Sequence, residues 1–417
     1  MPEYITDLHL HSKYSRAVSK DMDLEHLDEW AKIKGINVIG TTDFTYPAWF
    51  SELKEKLEPQ KNGLLKLKGS KNDVFFLLST EISCIYTKNG KGRRIHIVVL
   101  APDFKTVEKI NAQLSWIGNI KSDGRPILGL DAKELTKIVL DASPDCLVIP
   151  AHAWTPWFSL FGSESGFDTL KECFEELSPQ IYAIETGLSS DPAMNWRLKQ
   201  LDNKQIVSFS DAHSPANIGR EATVFELAEL SYQNIIKAIK KPEKKNKIAC
   251  TIEFFPEEGK YHWDGHRNCD IRFSPKETLK HQGICPKCGR RLTVGVMYRV
   301  EKLADRSEGE KRPNAVPYKS LVPLQEIIGE ALGQKKGTKA VNLEYENLVK
   351  QGKSEFNVLI NLTENELKKM TTPKITEAII KVRNGQLKIL PGYDGVFGTV
   401  KIFDISENRE KKQAQLF

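Results

Sequence analysis

The sequence predicts an α/β chain in three parts: a strand–helix barrel or parallel sheet over residues 1–245, a small zinc-binding unit over 246–315, and a mostly helical part over 316–417. Three observations carry this. Strand and helix patterns alternate through the first 240 or so residues. A Cys285-Pro286-Lys287-Cys288-Gly289 knuckle follows a lysine-rich stretch. Helical patterning takes over after Pro313 and Pro317.

Taken in order, Tyr4 to Leu10 reads as a strand, and Asp23 to Lys34 as an amphipathic helix stopped at Gly35. Asn37 to Thr42 is the next strand, and Trp49 to Leu57 is helical. Val74 to Ser83 is an apolar strand reaching Glu81; Asn89-Gly90 turns the chain, and Arg94 to Leu100 returns with His96. Helices are expected over Thr106 to Ile117 and Ala132 to Leu140. Strands over Cys146 to Pro150, Ile181 to Ile184 and Gln205 to Phe209 lead into His152, Glu185 and Asp211. Lys237 to Lys247, with Pro242, reads as a linker. Beyond Pro317, Leu324 to Leu332, Glu364 to Met370 and Ile375 to Val382 read as helices; Thr363 with Glu366 forms a capping box, and Asn384-Gly385 ends the last of them. Residues 391–398 read as a turn and Thr399 to Phe403 as a short strand. The helical part is expected to bind DNA.

Composition bounds the rest. With 417 residues, 40% hydrophobic and 28% charged, the chain is an ordinary multi-domain globular protein. The excess of 61 basic over 55 acidic residues permits a nucleic-acid partner without requiring one. Seven cysteines, including a Cys-x-x-Cys pair, fit a metal site in a reducing cytosol better than a disulfide scaffold. No apolar run nears the roughly 18 residues of a membrane span, and the start of the chain has no apolar signal core, so a cytoplasmic location without membrane contact is expected.

The histidines carry the chemistry. His9 and His11, one residue apart on a strand, point the same way and form a metal clamp beside Asp7. In strand–helix folds reacting groups gather at strand carboxyl ends. At or near predicted strand ends lie His9, His11, Asp43, Glu81, His96, His152, Glu185, Asp211 and His213. Five of the nine histidines fall in this set, and His262, His266 and His281 lie among the cysteines of the next segment.

The order Asp-x-His-x-His, Thr41-Thr42-Asp43, Glu81, His96, Ala151-His152 and Ser210-Asp211-Ala212-His213 resembles the polymerase and histidinol phosphatase (PHP) superfamily over residues 1–240. The resemblance implies a distorted seven-stranded β/α barrel that binds two or three divalent metals (zinc, manganese or magnesium) and cleaves phosphoesters. It implies metal ligation by His9, His11, Glu81, His96, His152, Asp211 and His213. Where the superfamily commonly has a histidine, this chain has Phe44; either a third metal is absent or Asp43 supplies the missing ligand. Ser15-Arg16-Ala17, the stretch from Ala153 to Trp157, Glu185 to Asp191 and Asn217 to Thr223 resemble the endonuclease Q family, a prokaryotic DNA-repair branch. That implies cleavage of damaged DNA 5′ to deaminated bases (uracil, hypoxanthine, xanthine) and to abasic sites.

Phosphodiester hydrolysis needs an activated water, neutralised phosphoryl oxygens and a stabilised leaving group, and a cluster of metals supplies all three. A bridge between ions requires a carboxylate, so Glu81 is the expected bridge and Asp211 a second; both are catalytic candidates. Arg16 and Arg220 are candidate phosphate clamps. Trp154, Trp157, Phe158 and Phe161 follow His152 closely enough to stack on an extruded base. His266 and Cys269, then Cys285 and Cys288 after fifteen intervening residues, match a zinc ribbon with one structural zinc, with His262 and Cys250 competing for the His266 position. From Asp270 to Arg312 there are eleven basic and six acidic residues, and Lys287, Arg290 and Arg291 lie where they could meet phosphates. The chain is expected to be a monomer, with other repair proteins open as partners. The competing reading is a phosphatase of a small phosphorylated metabolite, which would need neither ribbon nor basic excess.

Overall fold

The computed structural model describes residues 1–403. Seven strands ring the barrel: β1 (Glu3–Asp7), β2 (Val38–Gly40), β3 (Phe75–Lys88), β4 (Lys91–Ala101), β5 (Leu147–Pro150), β6 (Ala183–Glu185) and β7 (Gln205–Val207). β1, β2 and β3 run parallel. β4 is antiparallel to both neighbours, because Asn89 and Gly90, both at positive φ, reverse the chain at once instead of sending it through a crossover helix. β6 and β7 pair in parallel. The ring closes without full ladders: the Ala153 amide donates to the Glu185 carbonyl, and Leu10 bridges Ala212 beyond the ends of β1 and β7. The barrel is distorted at these breaks and at the reversed β4.

Period-two alternation sorts its interior. Leu77, Val98, Leu100, Leu147, Ile149, Ala183 and Val207 share one apolar cluster. Along the same strand faces follow Glu81 on β3, His96 on β4 and Glu185 on β6. The floor is greasy and the mouth carries the ionisable groups. Glu81 and His96 lie within the long β3–β4 hairpin rather than at strand ends: Glu81 faces Val98, and His96 faces Ser83.

The stretch expected as a linker over residues 237–247 is the last turn of a helix, Tyr232–Lys240, and the start of β9 (Asn246–Glu253). Tyr232, Ile235, Ile236 and Ile239 give the helix one buried face, which outweighs the lysines on the other. β9 pairs with β8 (Ala222–Leu227), β8 pairs with β1, and β10 (Tyr318–Ser320) joins the outer edge of β9. The main sheet thus runs on through residues on both sides of the ribbon.

The ribbon comprises two short hairpin strands, Asp264–His266 and Ile271–Phe273, a capped helix Pro275–Lys280, and the helix Val296–Leu303. Three arginines fasten the chain after it to the barrel. Arg299 donates to the Phe161 and Phe167 carbonyls and to Asp168, Arg306 to the Trp196 carbonyl and Asp202, and Arg312 to the carbonyls of Leu201 and Lys204. These three belong to the basic excess that the sequence offers to DNA; their guanidinium groups serve the protein instead.

Helices Leu324–Leu332, Lys339–Gly352, Glu364–Met370 and Pro373–Arg383 build the last part. The second was not anticipated, although Val341, Tyr345, Leu348, Val349 and Gly352 are buried at helical spacing along it. Lys34, at the end of the barrel's first helix, pairs with Glu355 at 2.6 Å and ties this part to the barrel. The expected third part runs to residue 417; its residues past 403 lie outside the described residues.

Candidate metal centres

Two donor triads meet in the barrel mouth. His9, His11 and Asp211 form one, and Glu81, His96 and His152 the other; within each, one donor atom per residue lies within 4.8 Å of the others. Glu81 stands between them. Its Oε1 is 2.7 Å from His96 Nδ1, 3.1 Å from His152 Nε2 and 3.6 Å from His9 Nε2, and its Oε2 is 3.4 Å from His11 Nε2. A carboxylate that faces both triads can bridge two ions.

The backbone is bent to deliver these groups. Asp43, His152 and Asp211 all leave their strands at positive φ (38°, 29° and 48°), a conformation that costs non-glycine residues energy and clusters at functional sites. Gly187 packs against His152 so closely that a Cβ there would lie 2.3 Å from the histidine Cβ.

Behind the donors sits a layer of carboxylates. Glu185 accepts from His9 Nδ1 at 2.9 Å and from the His152 amide at 2.7 Å, which turns His9 Nε2 toward the mouth. Asp43 was expected to ligate. Instead its Oδ2 accepts from the Ser12 amide and from the Ser12 and Ser15 hydroxyls, and its Oδ1 faces His11 Nδ1 at 3.5 Å. That Oδ1 is buried without a hydrogen-bond partner, and Phe44 beside it is wholly buried. His213 joins neither triad: its Nδ1 donates to the Asp211 carbonyl at 2.8 Å, and its ring lies 4.6 Å from that of His11 at the exposed rim.

The electrostatics fit cation binding. Burial disfavours charge on Glu81, but the imidazoles of His96 and His9 outweigh it and hold the carboxyl well below its usual range. Burial likewise disfavours the imidazolium forms of His9 and His11. Glu185 and Glu81 outweigh it at His9, and Asp211 and Asp43 at His11, so both pKa values stand well above normal. His96 is pushed down to about 4 by burial, despite Glu81. His9 Nε2, the ring nitrogen turned toward Glu81 and Asp211, is buried without a hydrogen-bond partner. Buried imidazole nitrogens converging with carboxylates are the donor set of a borderline divalent ion such as zinc or manganese.

Arg125 escaped the sequence reading. It donates to Glu81 Oε2 at 3.1 Å. The loop carrying it is pinned at Gly124, where a Cβ would lie 2.4 Å from both Asp43 Oδ2 and Ser15 Oγ. Of the expected clamps, Arg16 is exposed on the neighbouring loop, its amide on Asp123. Arg220 lies elsewhere. It caps Asn217, packs 5.0 Å over Phe254 and lines a groove with Lys34 and Phe356 between barrel and helices. The aromatic stretch divides. Trp154, 1% exposed, is core: it stacks on Phe161 at 4.9 Å and donates to Asn195. Trp157 is 50% exposed, under Arg94, and Phe158 packs 4.8 Å from the His96 ring.

In the ribbon, one donor atom each of His266, Cys269, Cys285 and Cys288 lies within 4.8 Å of the others. His262 is buried elsewhere, its amide on Gly259 and its carbonyl taking the Met297 amide, and Cys250 lies in β9 opposite Val224; neither joins. Burial works against the Cys285 thiolate, but amide hydrogen bonds from Lys287 and Cys288 outweigh it and bring the pKa to about 6. Lys287 bonds the Cys269 carbonyl across the site, while Arg290 and Arg291 are exposed.

A seven-strand ring with imidazole and carboxylate donors at its mouth defines a PHP-type metal-binding barrel. The family models described as "PHP-associated" and "MJ0043 C-terminal domain" match residues 196–243 and 323–386. The protein MJ0043 of Methanocaldococcus jannaschii is 37% identical over 257 residues, 60% of this chain; the match spans only 31% of that longer protein. The crystal structure of the lesion-specific endonuclease PfuEndoQ of Pyrococcus furiosus superposes with a TM-score of 0.86 at 33% identity, covering 98% of this chain and 99% of that one. Endonuclease Q in complex with a 27-mer duplex bearing an abasic lesion at its active site gives 0.84 and 34%, with 97% of each chain covered. The chain belongs to the endonuclease Q family.

Among the described residues no helix is long and apolar enough to cross a membrane.

Proposed function

We propose that this protein is a metal-dependent DNA-repair endonuclease that hydrolyses the phosphodiester bond 5′ to deaminated bases and abasic sites. The observation that carries the reading is Glu81 reaching both donor triads, in a chain alike from end to end to a lesion-specific endonuclease. Two divalent ions, held by His9, His11 and Asp211 and by His96 and His152 with Glu81 between, would neutralise the phosphoryl oxygens and activate a water for in-line attack. A third ion would need His213 to turn inward. The rest is the work of the chain. Glu185 fixes the tautomer and orientation of His9, and Asp43 supplies a negative charge beside His11. Arg125, a single cation beside Glu81, is placed to hold the scissile phosphate. Trp157 and Phe158 offer an extruded nucleotide a stacking surface beside His96, and flipping costs least where pairing is already weak. The ribbon, with one structural zinc, presents Arg290 and Arg291 to the duplex. The three-part division at about residues 245 and 315 is functional, since the main sheet crosses both boundaries. Cysteines without a disulfide suit a reducing, cytoplasmic setting.

The test is a labelled duplex carrying one uracil or one abasic site, incubated with manganese or magnesium. A single nick on the 5′ side of the lesion, with the undamaged duplex intact, is the expected result. Equal cutting of both duplexes would refute lesion selection. Release of phosphate from small phosphorylated metabolites, with no nick, would hand the site to the phosphatase reading.

A further inference from the structure

The most exposed of the large apolar side chains among the described residues is Trp116, at 91%. Ile117 and Ile127 beside it are 40% and 61% exposed. They form one patch. Trp116 and Ile117 end the helix Phe104–Ile117, and the next residue, Gly118, passes so close to Leu128 that a Cβ would lie 2.8 Å from its Cδ2. Leu128 and Ile127 form a two-residue strand that pairs in parallel with β3 at Cys84 and Ser83.

The patch is joined to the metal centre. Pro126 accepts from the Ser83 amide, and the preceding Arg125 holds Glu81. Across β3 from Ile127 stands His96, whose amide donates to the Phe158 carbonyl. Ile127 and Phe158 therefore stand on opposite sides of the β3–β4 hairpin, three strand spacings or about 14 Å apart, with Trp116 beyond Ile127. Arg16 and Lys121 are exposed on the loops beside the patch. Asp123, on the same loop, is occupied by the amides of Arg16 and Arg125.

An apolar aromatic patch rimmed by cations and continuous with a phosphodiester site has the chemistry of a duplex contact: bases stack on the indole while the cations meet phosphates. We propose that Trp116, supported by Ile117 and Ile127, stacks on the bases of the duplex opposite the Trp157–Phe158 side and fills the step that opens when a nucleotide is drawn into the mouth. This rests on the endonuclease reading for its setting, and its test does not use cutting.

Two fluorescein-labelled duplexes, one intact and one with a single abasic site, are titrated without added magnesium or manganese, and anisotropy reads binding. Trp116→Ala is expected to weaken abasic-duplex binding on the order of ten- to a hundredfold, the range for one lost base–aromatic stack. Trp116→Phe should regain most of it, because a phenyl ring still stacks. The intact duplex, with no open step to fill, should lose less. Since the side chain is almost wholly in solvent, the melting temperature and metal content should not move. Binding of the abasic duplex by Trp116→Ala as tight as by the parent overturns the proposal. So does a shift in oligomeric state with DNA binding intact, which would assign the patch to a second copy of the chain. A parent that binds through Trp116 yet nicks nothing supports this contact and refutes the endonuclease reading instead.

Discussion

The barrel mouth and the ribbon each gather a metal-binding set, and they do it in opposite ways. The barrel draws donors from residues 9 to 211, on strands from around the ring, and buries them over an apolar floor with carboxylates bracing the imidazoles from behind. The ribbon draws four donors from residues 266 to 288, on two knuckles with little apolar burial of their own. The barrel's donors stand on an apolar floor that packs without them, whereas the ribbon, with little apolar burial, would draw its folding energy from an ion. A carboxylate recurs where charge must be shared, and thiolates where only a rigid corner is wanted.

That contrast can be broken from either end. The largest effect is expected from Asp211→Asn or Glu81→Gln. Each should reduce nicking by at least about a thousandfold, the scale of losing a member of a catalytic unit, with barrel metal lost and one zinc retained by elemental analysis. Melting should change little, since the floor is untouched. If either variant loses the ribbon zinc as well, the two sites are not independent. Next, Trp154→Ala should cost roughly 3–5 kcal/mol of stability, while Trp157→Ala should leave the melting temperature in place and lose lesion cutting. Equal effects would erase the division of the aromatic stretch into core and surface. Cys285→Ser should release the ribbon zinc and unfold residues around 264–293, seen as local proteolysis, with barrel metals retained and duplex binding weakened. A variant that binds DNA as well as the parent would reject the role given to the ribbon.

Smaller effects sharpen the same difference. Gly124→Ala drives a methyl into Asp43 and Ser15 and should cost about 1–3 kcal/mol, with activity falling as Arg125 and His11 shift. Gly92→Ala, where a Cβ meets nothing within 4 Å, should fall within about 0.5 kcal/mol of the parent. Last is pH. His9 and His11, held above their ordinary pKa by neighbouring carboxylates, keep protons at neutral pH that an incoming cation must displace. Barrel metal affinity should therefore fall as pH drops, by up to one log unit per pH unit for each proton displaced. Isothermal titration in two buffers of different ionisation enthalpy counts those protons, and a count of zero would contradict the charge arrangement.

The barrel was legible because its chemistry is repeated at strand exits: an Asp-x-His-x-His run, a His after Ala151, an Asp and His after Ser210. What stayed hidden depends on packing between distant loops. Arg125 reaches Glu81 only because Gly124 lies flat against Asp43, and nothing local to Arg125 signals that contact. Asp43 enters the sequence reading as the stand-in for the histidine that Phe44 replaces; the hydroxyls of Ser12 and Ser15 that it accepts from come from another loop. Glu185 was noticed at its strand end without a role, since bracing His9 from behind leaves no mark in spacing. Trp154 and Trp157 are three apart in a loop, where no periodicity tells inside from outside. The lysines of residues 237–247 hid a helix whose apolar face is spaced at 232, 235, 236 and 239.

The three guanidinium ties from Arg299, Arg306 and Arg312 have a metrical consequence. They restrict the freedom that a ribbon on a loose tether would have, and so narrow the range of distances between its exposed arginines and the barrel mouth. On a duplex rising about 3.4 Å per base pair, a narrow range of distances is a narrow range of steps. The protein is then a ruler as well as a blade. Protection by the ribbon should begin within a narrow range of offsets from every nick, whatever lesion lies at the mouth.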